Sequence, residues 1–72
     1  MMAVRLTPVK SKAASHEGYD PATKTLRIRY ASGGLYEATD VEPHEYEALK
    51  AAESFGRHLN THFRAKLERV DE

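Results

Sequence analysis

The chain contains no cysteine, so no disulfide can staple it and no thiolate can hold a metal, a pattern that fits a reducing compartment. It has no apolar run approaching the roughly 20 residues needed to cross a bilayer, and residues 1–10 lack the uninterrupted apolar stretch of a signal peptide. A cytoplasmic location without a membrane partner is therefore expected. Charge of one sign is missing as well: eleven Lys and Arg balance eleven Asp and Glu. The whole molecule then steers a polyanion weakly, and any such preference must come from a local patch. With 72 residues there is room for one domain. A chain of this size buries only about 60% of the surface its unfolded form exposes, so neither a deep cavity nor a small-molecule substrate is expected. Repeats and low-complexity tracts are absent too.

What is present is periodicity. In "TLRIRY", Leu26, Ile28 and Tyr30 alternate with Arg27 and Arg29, the period of two of a strand with one apolar and one cationic face. "ASGG" supplies a turn, and "LYEATDV" returns as the antiparallel partner. Setting Tyr30 opposite Tyr36 pairs Ile28 with Ala38 and Arg29 with Glu37, apolar with apolar and cation with anion. Upstream, Asp20-Pro21 marks a turn that makes "SHEGYD" the first strand of the same sheet.

Two helices follow. Pro43 suits a first helical position, after Glu42 as cap, with Val41 placed to staple against Tyr46. Tyr46, Leu49 and Ala52 then face the sheet. Ser54 caps a second helix in which Phe55, Leu59, Phe63 and Leu67 recur every four residues as a buried stripe. The expected fold is α+β: a three-stranded antiparallel β-meander followed by two α-helices packed on one face of the sheet. Residues 1–12 are expected to form a loosely held arm with a short strand near Val9, 13–67 a single domain, and 68–72 a frayed tail.

The run from Gly18 to Arg64 resembles the KTSC domain, a module of about sixty residues found free-standing in bacteria and at the C-terminal end of some lysyl-tRNA synthetases. The resemblance rests on Gly18-Tyr19-Asp20, on Ser32-Gly33-Gly34 with Tyr36, on Val41, Pro43, Tyr46 and Leu49, and on Gly56-Arg57 followed by Asn60 and Arg64. Three positions depart from the family pattern. Glu17 stands where an apolar residue is expected, Ala38 replaces the second tyrosine of a tyrosine-x-tyrosine, and His58 replaces an aromatic. The resemblance implies the fold and, through the attachment to tRNA synthetases, a role in RNA binding.

Candidate site residues follow from helical and strand projections. Arg57, Thr61 and Arg64 lie opposite the apolar stripe of the second helix, with Asn60 on one shoulder and His58 and His62 on the other. Arg57 and Arg64, with Arg27 and Arg29, are the candidates for a basic surface that bridges phosphates, against the simpler reading that these residues solvate an amphipathic helix and a strand. Tyr36 is a candidate stacking platform for a base, or else a core residue beside a shallow groove left by Ala38. The Asn60 amide either reads a ligand or clamps a neighbouring loop, with the clamp favoured. His58 and His62 have the spacing of a metal-binding pair but lack further ligands, so no metal and no cofactor are expected. No nucleophile elbow, oxyanion loop or phosphate loop accompanies them. The sequence therefore points to a small non-enzymatic binding module, monomeric, meeting RNA weakly through its basic surface. The alternative is a protein–protein interaction domain with no nucleic-acid role.

Overall fold

The structure, a computed structural model, describes residues 5–70. In chain order its elements are β1 (Thr7–Pro8), β2 (Ala14–Asp20), β3 (Thr25–Tyr30), β4 (Leu35–Ala38), α1 (Pro43–Ala51), α2 (Phe55–His62) and β5 (Glu68–Arg69). The α+β fold and the antiparallel meander are as expected, but the sheet has five strands in the order β1-β2-β3-β4-β5, not three. β1 pairs with β2 through Thr7↔Glu17 and Pro8↔His16, and β5 pairs with β4 through Tyr36↔Arg69 and Glu37↔Glu68. Each outer strand is only two exposed residues long, too short to show a period of two, so only its pairing partner reveals it. These pairs fall inside the expected arm and tail, and Val9 adds a further bond from its N–H to the Ser15 carbonyl. Residues 1–4 and 71–72 of those segments lie outside the described residues.

The β3–β4 register also differs from the expected one. Leu26 faces Ala38, Arg27 faces Glu37 and Ile28 faces Tyr36, a slide of two residues that keeps every side chain on its expected face. The turn decides it. Tyr30 donates its N–H to Gly34 O at 2.9 Å and Gly33 donates to Tyr30 O at 2.8 Å, closing a three-residue loop. Its last position, Gly33, has φ 107°, a conformation that glycine adopts without the Cβ clash of other residues.

Alternation in β3 sends Leu26 and Ile28 into the core, and with Ala14, Ala38 and Val41 they meet Leu49 of α1, Leu59 of α2 and Phe63. All eight are essentially inaccessible to solvent, each large one contributing about 1.5–3 kcal/mol by burial. α1 opens as the sequence suggests: Pro43 follows cap Glu42, and Glu45 Oε1 accepts the Glu42 N–H at 2.8 Å in a capping box. α2 opens with Ser54 Oγ accepting the Arg57 N–H. A Cβ on Gly56 would lie 2.7 Å from Ala13 Cβ, so glycine is required for α2 to seat against the loop between β1 and β2. The helix ends at His62 instead of running to Leu67. A tight turn over 63–66, in which Leu67 N–H reaches Phe63 O, reverses the chain so that β5 can join the sheet edge. Lys66 Nζ pins that turn to Asp40 O.

Candidate functional site

The turn after α2 carries Arg64 and Leu67 back toward the β3–β4 hairpin, and an open groove of about 490 Å³ forms between them. Tyr30, Ser32 and Tyr36 of the hairpin line one side, and Asn60, Arg64 and Leu67 the other. Tyr36 projects from the helix-covered face of β4, opposite Ile28. Its ring meets that of Tyr30 edge to face, with centroids 5.1 Å apart and planes at 88°. Both rings are half-buried, whereas Ser32, Asn60 and Arg64 are exposed. Burial, followed by the neighbouring Tyr36, raises the pKa of the Tyr30 phenol despite the opposing field of Arg64, so at neutral pH this phenol is a proton donor.

Among the described residues, the Tyr30 and Tyr36 hydroxyls, the Ser32 hydroxyl, the Asn60 amide and the Arg64 guanidinium have no hydrogen-bond or ion-pair partner. The favoured expectation that Asn60 clamps a loop therefore does not hold. The loops here are tied by backbone bonds and by Asp20 and Lys66, leaving the exposed Asn60 amide open to solvent. Three candidates from the sequence, Tyr36, Asn60 and Arg64, thus converge. Ser32 and Leu67, one assigned to a turn and one to the core stripe, gave no sequence signal that they would join them.

The other three candidates lie elsewhere. Arg27 and Arg29 point from the sheet face opposite the helices. Arg27 Nε is 3.1 Å from Glu37 Oε2, and Arg29 Nη1 donates to Gly33 O at 2.7 Å. Arg57 lines a separate hollow along α2 with Glu53, Ser54, His58, Thr61 and His62. The four arginines therefore do not form one basic surface, because the sheet separates Arg27 and Arg29 from the two on the α2 side. The His58 and His62 rings lie 4.2 Å apart, and burial together with the neighbouring His62 lowers the pKa of His58. Among the described residues no group of three His, Cys, Asp or Glu side chains is placed to hold a metal.

A second tyrosine pair sits at the other side of the core. The Tyr19 and Tyr46 rings stack at 4.6 Å with planes 19° apart. Tyr19 donates its hydroxyl to Val41 O at 2.5 Å, and Tyr46 donates to Glu17 Oε1 at 2.7 Å. Burial, then the bond to Glu17, holds the Tyr46 phenol far above its ordinary pKa. Glu17, only 7% exposed, is the departure from an apolar position noted in the sequence, and its carboxylate is satisfied by Tyr46 and, at 3.5 Å, by Thr7 Oγ1 of β1.

The KTSC domain family model matches residues 10–66. The chain belongs to the KTSC domain family. A protein of Tsukamurella paurometabola is 42% identical over 55 residues, covering 76% of this chain and 82% of that protein. An uncharacterized protein of Stutzerimonas stutzeri is 38% identical over 56 residues, covering 78% and 79%. The crystal structure of a KTSC domain protein from Yersinia pestis superposes with a TM-score of 0.86 at 26% identity, over 97% of this chain and 99% of that one. This likeness extends beyond the family match to the outer strands. Among the described residues no helix of this KTSC domain is long and apolar enough to cross a membrane.

Proposed function

We propose that this KTSC domain is a binding module that takes single-stranded RNA in the groove between the β3–β4 hairpin and the end of α2. The observation that supports this most is the convergence there of two tyrosine rings, an amide, a hydroxyl and a guanidinium whose polar groups no other described residue engages. An aromatic ring with an adjacent arginine is what an unpaired base and its phosphate require: stacking tolerates any base, and a guanidinium forks onto phosphate oxygens. A paired base hides its face within the helix, so duplex RNA does not fit the same chemistry.

The test is an amide chemical-shift titration with short single-stranded and double-stranded RNAs. Shifts should cluster at Tyr30, Ser32, Tyr36, Asn60 and Arg64 with the single strand, and Arg64→Glu should abolish them while leaving the rest of the spectrum intact. Shifts confined to Arg27 and Arg29, or to Arg57 and His58, would move the interface away from the groove. No response to any RNA would reject the reading.

A further inference from the structure

The groove offers one cation and one usable aromatic face. Of the residues lining it, only Arg64 is charged. The other cations near the hairpin and α2 do not line it: Arg27 pairs with Glu37 across the far sheet face, Arg29 donates to Gly33 O, Lys66 to Asp40 O, Arg57 lies in its own hollow, and Arg69, across the strand pair from Tyr36, is not among the lining residues. Because the Tyr30 and Tyr36 planes stand at 88° to each other, they cannot sandwich a base between parallel faces. A base stacks on one ring and meets the edge of the other. Around that position stand a hydroxyl from Ser32, an amide from Asn60 and two phenols, enough to engage the edge of one base and its sugar.

From this inventory we infer that the groove recognises a single nucleotide unit, one unstacked base with one phosphate, so that a nucleoside monophosphate occupies it as a stretch of RNA does. The inference rests on the RNA reading but is separable from it. A strand gripped at one phosphate releases few counterions, so its affinity falls with salt at a slope of about −0.7 on logarithmic axes. A surface built on four arginines would give a slope several times steeper. Affinity should also be nearly independent of strand length once one nucleotide is present.

The experiment measures binding of the full chain to a fluorescent single-stranded RNA about six nucleotides long, a length within the site sizes of small single-strand binders. Adenosine monophosphate serves as competitor, and both titrations are repeated across a range of salt. The expected result is full displacement by adenosine monophosphate, with amide shifts at the same groove residues and a slope near −0.7. Arg64→Gln should weaken RNA and mononucleotide alike by about tenfold or more, the loss of one charge-assisted hydrogen bond. Lys50→Gln, on the exposed side of α1, should weaken neither. Asn60→Ala provides a second variant, since its exposed side chain has no hydrogen-bond partner among the described residues whose loss would unfold the chain.

RNA that binds through Arg64 yet resists displacement by the mononucleotide, or shows a slope steeper than about −2, overturns the single-nucleotide inference and leaves the RNA reading standing. Mononucleotide binding without RNA binding does the reverse. Failure of both ligands to bind rejects both.

Discussion

Two pairs of tyrosines frame the core of this domain, and they are built on opposite plans. Tyr19 and Tyr46 lie face to face, and both hydroxyls are spent on protein acceptors, Val41 O and Glu17. Tyr30 and Tyr36 meet edge to face, and neither hydroxyl has a partner among the described residues. The first pair is closed: it fastens α1 to the sheet and satisfies a carboxylate buried where an apolar side chain would serve. The second opens onto a groove that also holds Asn60 and Arg64. The same residue type thus performs two jobs, and what separates them is whether the polar end of the ring is already occupied. A phenol bonded inside the protein must break that bond to meet a ligand, whereas an open one loses only water.

The comparison can be tested, starting with the core that both pairs share. Phe63→Ala removes a fully buried ring from between the helices and the sheet and should cost about 3–5 kcal/mol, much of the stability of a domain this small. Thermal melting reads it out, and a cooperative melt within a few degrees of the native protein would show that the core does not depend on Phe63.

A narrower change tests the pairs themselves. Tyr46→Phe keeps the stack but strips the buried Glu17 carboxylate of its hydroxyl donor, which should cost about 1–3 kcal/mol in urea unfolding. Tyr36→Phe, made on the open pair, removes a hydroxyl with no partner among the described residues and should change stability by less than about 0.5 kcal/mol. Equal effects from the two substitutions would mean that the closed and open pairs are not energetically distinct.

The third prediction concerns pH and the hollow along α2. Burial and the adjacent His62 hold the pKa of His58 below its ordinary value, so the folded state favours the neutral imidazole more than the unfolded state does. The stability it contributes is present above about pH 6.5 and is lost as pH falls through that value toward the depressed folded pKa. His58→Gln should flatten the decline in unfolding free energy just below pH 6.5, as measured by urea denaturation across pH. An unaltered slope would mean that His58 titrates alike in both states.

The smallest expected effect is at the groove's own cation. Arg64→Gln should shift stability by less than about 0.5 kcal/mol, because the guanidinium is exposed and has no hydrogen-bond or ion-pair partner among the described residues. Loss of folding in that variant would give Arg64 a structural role in place of a binding one.

Much of this architecture could be read from local sequence. The alternation of Leu26, Ile28 and Tyr30 with Arg27 and Arg29 assigned the faces of β3. Pro43 and Ser54 marked where the helices begin, and Glu42, Phe55, Leu59 and Phe63 took their expected roles. What escaped was what pattern cannot carry. β1 and β5 have two residues each. The two-residue slide between β3 and β4 preserves which side chains face the core, so the hydrophobic pattern could not choose between the registers, and the turn at Gly33 did. α2 stops at His62 although its apolar stripe continues to Leu67, because a stripe records which residues are buried and not whether the chain between them stays helical.

The candidate site was legible only in pieces. Tyr36, Asn60 and Arg64 were each visible as residues able to meet a nucleic acid, yet so were Arg27, Arg29 and Arg57, and nothing in the order of residues distinguished the sets. Local interactions between near neighbours in the chain determine strand faces, turns and caps, and the sequence by itself therefore settled those. A binding groove depends on which side chains from distant segments share one space and which have already found partners. That was decided when the turn over 63–66 folded Arg64 and Leu67 against the β3–β4 hairpin while the sheet kept Arg27 and Arg29 on its other side, since only packing in three dimensions determines which polar groups are left open.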